Sequence, residues 1–343
     1  MLSVQHCLLA LAVASAASAS QPETLRSVGG LPAHIAGSFA ELTVCRQSPD
    51  GSFLVFDRRS HTVFGVAAGA DTPREIIQIG AEPGRILRPY AFDVAADGTF
   101  VVADAPQGRG RVQVFMPSGS RLAGFALPGR EVARVTFDGV VISGLGSLVY
   151  NGRSIFMSRP ESGSLITELG IDGVSARAFG ELRATGFEAD RELHMALNSG
   201  LVVLNPEGGF YYVFVAGVPA FRKYDAAGAL LFERHIEGAE LDEYMRTRPT
   251  TWPRRATADG ETPVVRPIVR AAAADTSGRL WLSLDVPYTY VYDRRGDKTG
   301  LRQLRAAGLL SPTSLSFTPN GRLLATPGCF LFDARLAADR KGP

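Results

Sequence analysis

The sequence predicts an all-β chain built from a repeated four-stranded antiparallel unit. Two observations carry the prediction. Six turns that contain glycine are each followed at once by a short β-rich run. Each of these turns is also preceded by another strand-like run, and most copies continue into a third run rich in aromatic residues.

The turns come in order along the chain. Pro49-Asp50-Gly51 leads into SFLVFD, Ala96-Asp97-Gly98 into TFVVAD, and Tyr150-Asn151-Gly152 into RSIFMS. Glu207-Gly208-Gly209 leads into FYYVFV, Thr276-Ser277-Gly278 into RLWLSL, and Pro319-Asn320-Gly321 into RLLATP. Asp-Gly and Asn-Gly favour the positive φ angles of tight hairpins, so each turn marks a hairpin. The preceding runs are LTVCRQS, AFDVAA, SLVY, LVVLN, VRAAAA and SLSFT. Third runs follow as VFGVA, VQVFMPSG, FRKYDAAG, YVYDRRG and FLFDA. A fourth strand follows Gly119 as SRLAGFAL and Gly228 as ALLFERHI.

A single meander of this kind leaves both of its faces bare. Stacking such units around an axis covers both faces and leaves only short edges, which is the construction of a β-propeller. The turn glycines are spaced from 43 residues (278 to 321) to 70 residues (208 to 278), a loose period of blade size with insertions. Six turns predict six blades. After FLFDA only nine residues remain, four of them charged, so the last blade is expected to lack an outer strand. Residues 23–31, ahead of the first blade, are expected to supply it and to close the ring.

The second unit has the most regular sequence: Pro89-Tyr90-Ala91-Phe92-Asp93-Val94, then Ala96-Asp97-Gly98, Val101-Val102-Ala103-Asp104 and Arg111-Val112-Gln113-Val114-Phe115. It resembles the NHL-repeat and TolB-like six-bladed propellers. The resemblance runs over 85–129 and in part over 267–297 and 312–334; Ala91 stands where the pattern usually has glycine. That family spans enzymes, binders and scaffolds, so the resemblance implies a fold and no particular activity.

Residues 1–19 carry no Asp, Glu, Lys or Arg, and CLLALAVA ends near Ala17-Ser18-Ala19, which fits a cleavage site. These are the features of a cleaved secretory signal peptide. The expectation is one propeller domain over 20–343 in a periplasmic or secreted protein. No later run has the 18 apolar residues of a membrane span. The net charge of +2 gives no sign of a nucleic-acid partner. Two cysteines follow the leader, Cys45 and Cys329; export permits a disulfide between them, and ring closure would make their blades neighbours.

Chemistry-bearing motifs are few. His34, His61, His194 and His235 fall at different phases of the repeat, His61 in an outer loop and His235 in an outermost strand, and are not expected to converge on a metal. Asp57, Asp104, Asp225, Asp293 and Asp333 recur at strand ends, where aspartate commonly satisfies turn amides. No metal set and no cofactor motif is evident; a carboxylate-bound calcium stays open. Arg88 before Pro89 and Arg266 before Pro267 open inner strands, with Arg183 and Arg270 at similar phases. These four are candidates to bind an anionic ligand at one channel mouth, since guanidinium matches carboxylate and phosphate. Residues 239–266 break the repeat and are expected to form an exposed loop, with Tyr244, Trp252, Arg254 and Arg255 as candidate partner contacts. The expected function is a ligand- or protein-binding module without an evident catalytic site. A metal-dependent lactonase or lyase, as on related propellers, is the alternative.

Overall fold

The strands follow the predicted hairpin turns in order. In the computed structural model, residues 21–127, 134–137, 140–143, 148–247, 251–257 and 260–335 are described. The leader expected at 1–19 and its cleavage point lie outside these residues.

The chain enters through β1 (Glu23–Gly30) and a single helical turn α1 (Ala33–Ala36). The first meander is β2 (Leu42–Gln47), β3 (Phe53–Asp57), β4 (Thr62–Val66) and β5 (Arg74–Ile77). The second is β6 (Pro89–Val94), β7 (Phe100–Asp104), β8 (Arg111–Phe115) and β9 (Arg121–Ala126). A separate hairpin, β10 (Arg134–Phe137) and β11 (Val140–Ser143), leads to the third meander. That meander is β12 (Leu148–Tyr150), β13 (Ser154–Ser158), β14 (Ile166–Gly170) and β15 (Ser175–Phe179). Helix α2 (Arg191–Asn198) precedes the fourth, made of β16 (Gly200–Leu204), β17 (Phe210–Phe214), β18 (Ala220–Tyr224) and β19 (Leu230–His235). Helix α3 (Ala239–Arg246) and a second hairpin, β20 (Arg254–Thr257) and β21 (Gly260–Pro263), follow. The fifth meander is β22 (Val269–Ala274), β23 (Leu280–Leu284), β24 (Thr289–Tyr292) and β25 (Lys298–Arg305). The chain ends on β26 (Ser314–Phe317), β27 (Leu323–Thr326) and β28 (Phe330–Phe332).

The first four meanders are separate four-stranded antiparallel sheets. Apart from the two extra hairpins, which form two-stranded sheets of their own, the remaining strands form one eight-stranded sheet, in the order β22-β23-β24-β25-β1-β28-β27-β26. Strand β1 is the joint. Its first half pairs in parallel with β25, Glu23 opposite Arg302 through Arg26 opposite Arg305. Its second half pairs antiparallel with β28, Ser27 opposite Phe332 and Gly30 opposite Phe330.

The repeat is visible in backbone detail. All six turn glycines, 51, 98, 152, 208, 278 and 321, have positive φ. The side chain before or near each helps to hold the turn: Asp50 Oδ1 accepts from Ser52 N at 3.0 Å, and Asp97 Oδ1 from Thr99 N at 3.0 Å. In all five complete meanders, the third and fourth strands shift register beside one residue. A bulge at this repeated place bends and twists each outer edge in the same way.

The core is divided between neighbouring sheets. Phe56 and Phe92 stack between the first and second, with ring centroids 5.2 Å apart. Ala103 and Met157 share a cluster between the second and third, and Phe156 and Phe210 one between the third and fourth. Tyr211 and Leu280 belong to the cluster between the fourth and fifth, and Trp281 and Leu323 to the next. The last cluster joins Leu324 and Cys329 near the end of the chain to Val55 and Cys45 near its beginning. The inner strands make contacts in the same cycle: β2 with β6, β6 with β12, β12 with β16, β16 with β22, β22 with β26, and β26 with β2. Asp93 links three of them, since Oδ1 pairs with Arg46 Nη2 at 2.9 Å while Oδ2 accepts from Tyr150 N at 2.9 Å.

Candidate binding surface

In an antiparallel meander the second-to-third loops lie at the same end as the fourth-to-first connections. Among the described residues, both extra hairpins and the three α-helices sit in these connections or in the entry to β2. The opposite end carries only short turns, such as 48–52, 95–99 and 116–120. One end of the molecule is therefore elaborated and the other is plain.

Arg88 lies at the elaborated end. It is exposed, and its guanidinium has no partner among the described residues. Its φ is +53°, a left-handed conformation that is uncommon for a residue with a Cβ. Asp104 and β7 hold it there: Leu87 N donates to Asp104 Oδ2 at 2.9 Å, and Ala105 N donates to Arg88 O at 3.3 Å. The Arg88 charge also reaches His61 in the β3–β4 turn. Burial first, then Arg88, pushes the His61 pKa below the ordinary imidazole value, with Asp57 and Asp104 opposing. His61 Nδ1 is buried without a hydrogen-bond partner.

The other candidate arginines differ in their surroundings. Arg266 is exposed beside Pro267. Arg270 Nη1 lies 3.6 Å from Asp285 Oδ1, and Tyr244 donates its hydroxyl to the other carboxylate oxygen of Asp285. Arg183 is engaged in the scaffold: Nη1 donates to Val218 O at 2.6 Å, and Nη2 to Leu197 O at 2.8 Å and Ala216 O at 2.6 Å. The guanidinium lies 4.0 Å from the Phe214 ring centroid, and desolvation lowers its pKa to about 10, so it stays charged at neutral pH. The structure thus places Arg270 in a cluster with Tyr244 and Asp285, leaves Arg88 and Arg266 exposed, and uses Arg183 to fasten the 215–219 connection to α2.

The segment 239–266, expected to be an exposed loop, contains a helix and a hairpin and is partly buried. Leu241 is buried on α3, and Tyr244, Met245 and Trp252 pack against the core between the fourth and fifth sheets. The apolar side of α3 explains the difference. Arg254 and Arg255 remain exposed on β20, with Arg254 paired to Asp190. Asp190 also caps α2, accepting from Leu193 N at 3.2 Å, so it ties the second hairpin to that helix. The sequence reading missed α2, whose N-cap Asp190 and buried Leu193, Ala196 and Leu197 follow helical spacing. It also missed the exposed Ile79, Phe187, Val218 and Leu310, all in connections at the elaborated end.

The remaining candidates are distributed. His34, His61, His194 and His235 lie on four different elements, and His61 sits in a second-to-third turn at the elaborated end. Asp57 accepts backbone amides from Ala40, Glu41, Arg59 and Ser60, and Asp104 forks with Arg111 at 2.6 Å. Among the described residues no three His, Cys, Asp or Glu side chains group as metal ligands. Among the described residues no helix is long and apolar enough to cross a membrane. Cys45 of β2 and Cys329, just before β28, are joined as a disulfide with Cα atoms 5.8 Å apart. The cross-link spans the first and last sheets, where the sequence alone left the distance open.

No family model and no curated protein matches the sequence. Solved structures with β-propellers do match its shape. A streptogramin B lyase structure superposes with a TM-score of 0.51 at 11% identity, covering 84% of this chain and 76% of that one. A chain of a mitotic checkpoint complex gives 0.53 at 10% identity, covering 97% and 100%. A catalytically inactive virginiamycin B lyase from Staphylococcus aureus with quinupristin gives 0.50 at 10%, covering 88% and 81%. At these identities the likeness shows a β-propeller fold alone.

Proposed function

We propose that this chain is an exported, six-bladed β-propeller that binds an acidic protein partner through its elaborated end. The observation that carries the reading is that, among the described residues, every extra helix and hairpin emerges at that one end. In repeat folds, insertions gather on the face that binds, because connections vary freely while the stacked sheets do not. The six-bladed count is supported by the cycle of inner-strand contacts and by a cluster between each pair of consecutive sheets. Strand β1 then completes the last blade, and the likeness of 85–129 to NHL-repeat and TolB-like propellers agrees with that plan. Export is supported by the apolar run before Ala17-Ser18-Ala19 and by the disulfide, a bond of oxidising compartments.

A protein fits the cations better than one small anion does. Arg88 opens the second blade and Arg266 the fifth, which face each other across a six-bladed ring. Their charges spread over the end instead of converging. Exposed Phe187, Val218 and Leu310 add apolar contact at the same end. The lactonase or lyase reading draws only on fold likeness, and Asp57 and Asp104 are engaged with backbone amides and Arg111.

The test is quantitative recovery of a partner from the exported fraction with the tagged full chain. Arg88→Glu and Arg266→Glu should each reduce recovery about tenfold or more, since reversed charges oppose an acidic surface. Arg153→Glu, at the plain end, should leave recovery unchanged. Equal recovery with all three variants would overturn the reading.

A further inference from the structure

We infer that the plain end holds a second site, one that takes a small monocarboxylate with a flat apolar body. A cavity of about 450 Å³ lies there between the 275–279 turn, the 318–322 turn and residues 333–335. That volume is within the range of small-molecule sites, roughly 300–1,000 Å³.

The charges in it do not cancel. Asp275 is saturated: Oδ1 accepts the amides of Ser277 and Arg279 at 3.0 Å each, and Oδ2 accepts Arg279 Nε at 2.7 Å and Trp281 Nε1 at 3.1 Å. Asp333 pairs with Arg335 through both oxygens, at 3.1 and 3.2 Å. Each carboxylate thus has an arginine against it. Arg322 is left over: it is exposed, lines the cavity, and its guanidinium has no partner among the described residues. Two acids against three bases give the lining a net charge of +1.

The neighbours of Arg322 set the rest of the ligand. Asn320 Oδ1 accepts from Thr318 Oγ1 at 2.5 Å, which leaves the Asn320 amide nitrogen as a donor beside Arg322. Guanidinium and amide together suit one carboxylate. Phe317 forms an apolar wall, half-buried and held edge-on by Trp281 at 5.8 Å between centroids. A ring or flat chain joined to the carboxylate would stack there.

The experiment titrates the full chain with phenylacetate, phenylacetamide and acetate by calorimetry and thermal shift. Phenylacetate should bind one to one and raise the melting temperature, and the neutral amide and the ringless acetate should bind much more weakly. Arg322→Gln should weaken phenylacetate about ten- to a hundredfold, the scale of a lost charge-assisted hydrogen bond. Phe317→Ala should remove the preference for phenylacetate over acetate. Arg153→Gln, an exposed cation at the same end, should change nothing. Equal binding of the amide, unchanged affinity in Arg322→Gln, or an equal loss in Arg153→Gln would each overturn the site. None of these variants touches the elaborated end, so failure here is distinct from failure of the partner-binding reading.

Discussion

Reducing the Cys45–Cys329 disulfide should remove a large share of the protein's stability. The bond joins residues 284 apart in sequence, and both cysteines are buried at 1% exposure or less. Cross-linking so long a loop withdraws conformational freedom from the unfolded chain. The chain-entropy relation gives about 5–6 kcal/mol at 25 °C for a loop of this length, an upper value for the effect. Buried thiols make weak hydrogen bonds, so the reduced native state gains no comparable penalty of its own. The assay is urea unfolding with and without reductant, followed by the fluorescence of the fully buried Trp281. The midpoint should fall on reduction, with a stability loss between about 2 and 6 kcal/mol. The denaturant slope should rise slightly, because the uncross-linked denatured chain exposes more surface. A loss below about 1 kcal/mol would refute the reasoning, since the measured range for native disulfides in small domains starts near 2. So would two reactive thiols in the unfolded, unreduced protein.

Deleting residues 21–31 removes β1 from both β25 and β28 and takes away buried Leu25 and Leu31; burial of two leucines alone is worth about 3–6 kcal/mol, and an unchanged melting temperature would contradict a closing role for the strand. At position 88, glycine should be more stable than alanine by about 1–2 kcal/mol in chemical denaturation, because only glycine adopts the left-handed backbone without steric cost; equal stability of the two variants would show that the backbone there is not strained. His61 should make the protein acid-sensitive. Its folded pKa is depressed by burial and Arg88, so the unfolded chain takes up the proton first as pH falls. The stability it contributes is full above the ordinary imidazole pKa, near 6.5, and is lost as pH falls through the depressed folded value. His61→Asn, which tolerates the same positive φ, should therefore flatten the stability curve between about pH 7 and pH 5. An unchanged slope would refute it.

The repeat was legible because its turns are local chemistry. Asp97-Gly98 announces a positive-φ hairpin whatever surrounds it, and the structure places Gly98 at φ +82°. The side of the ring on which β1 pairs was legible from the missing outer strand after Phe332, but its parallel run along β25 was not, since that register depends on where two distant sheets come to rest. Arg183 and Arg88 occupy similar phases in the sequence and end in opposite circumstances. Three carbonyls of the 197–218 region happen to converge on Arg183, whereas no carbonyl among the described residues accepts from the Arg88 guanidinium. Nothing in residue type distinguishes the two. In 239–266 the prolines and arginines argued for a loop, while Leu241, Tyr244, Met245, Trp252 and Val265, five side chains among 28, were enough to anchor it to the core.

The central claim is that one end of the molecule does the binding. Photo-reactive side chains at positions 187 and 255 on the elaborated end, and at 118 and 153 on the plain end, test it in the full chain within its own compartment. All four positions are exposed, so each reports on what approaches it. The account predicts cross-links to one protein partner from 187 and 255 and none from 118 and 153. Cross-links to that partner from 118 and 153 instead, or equally from all four, would contradict it.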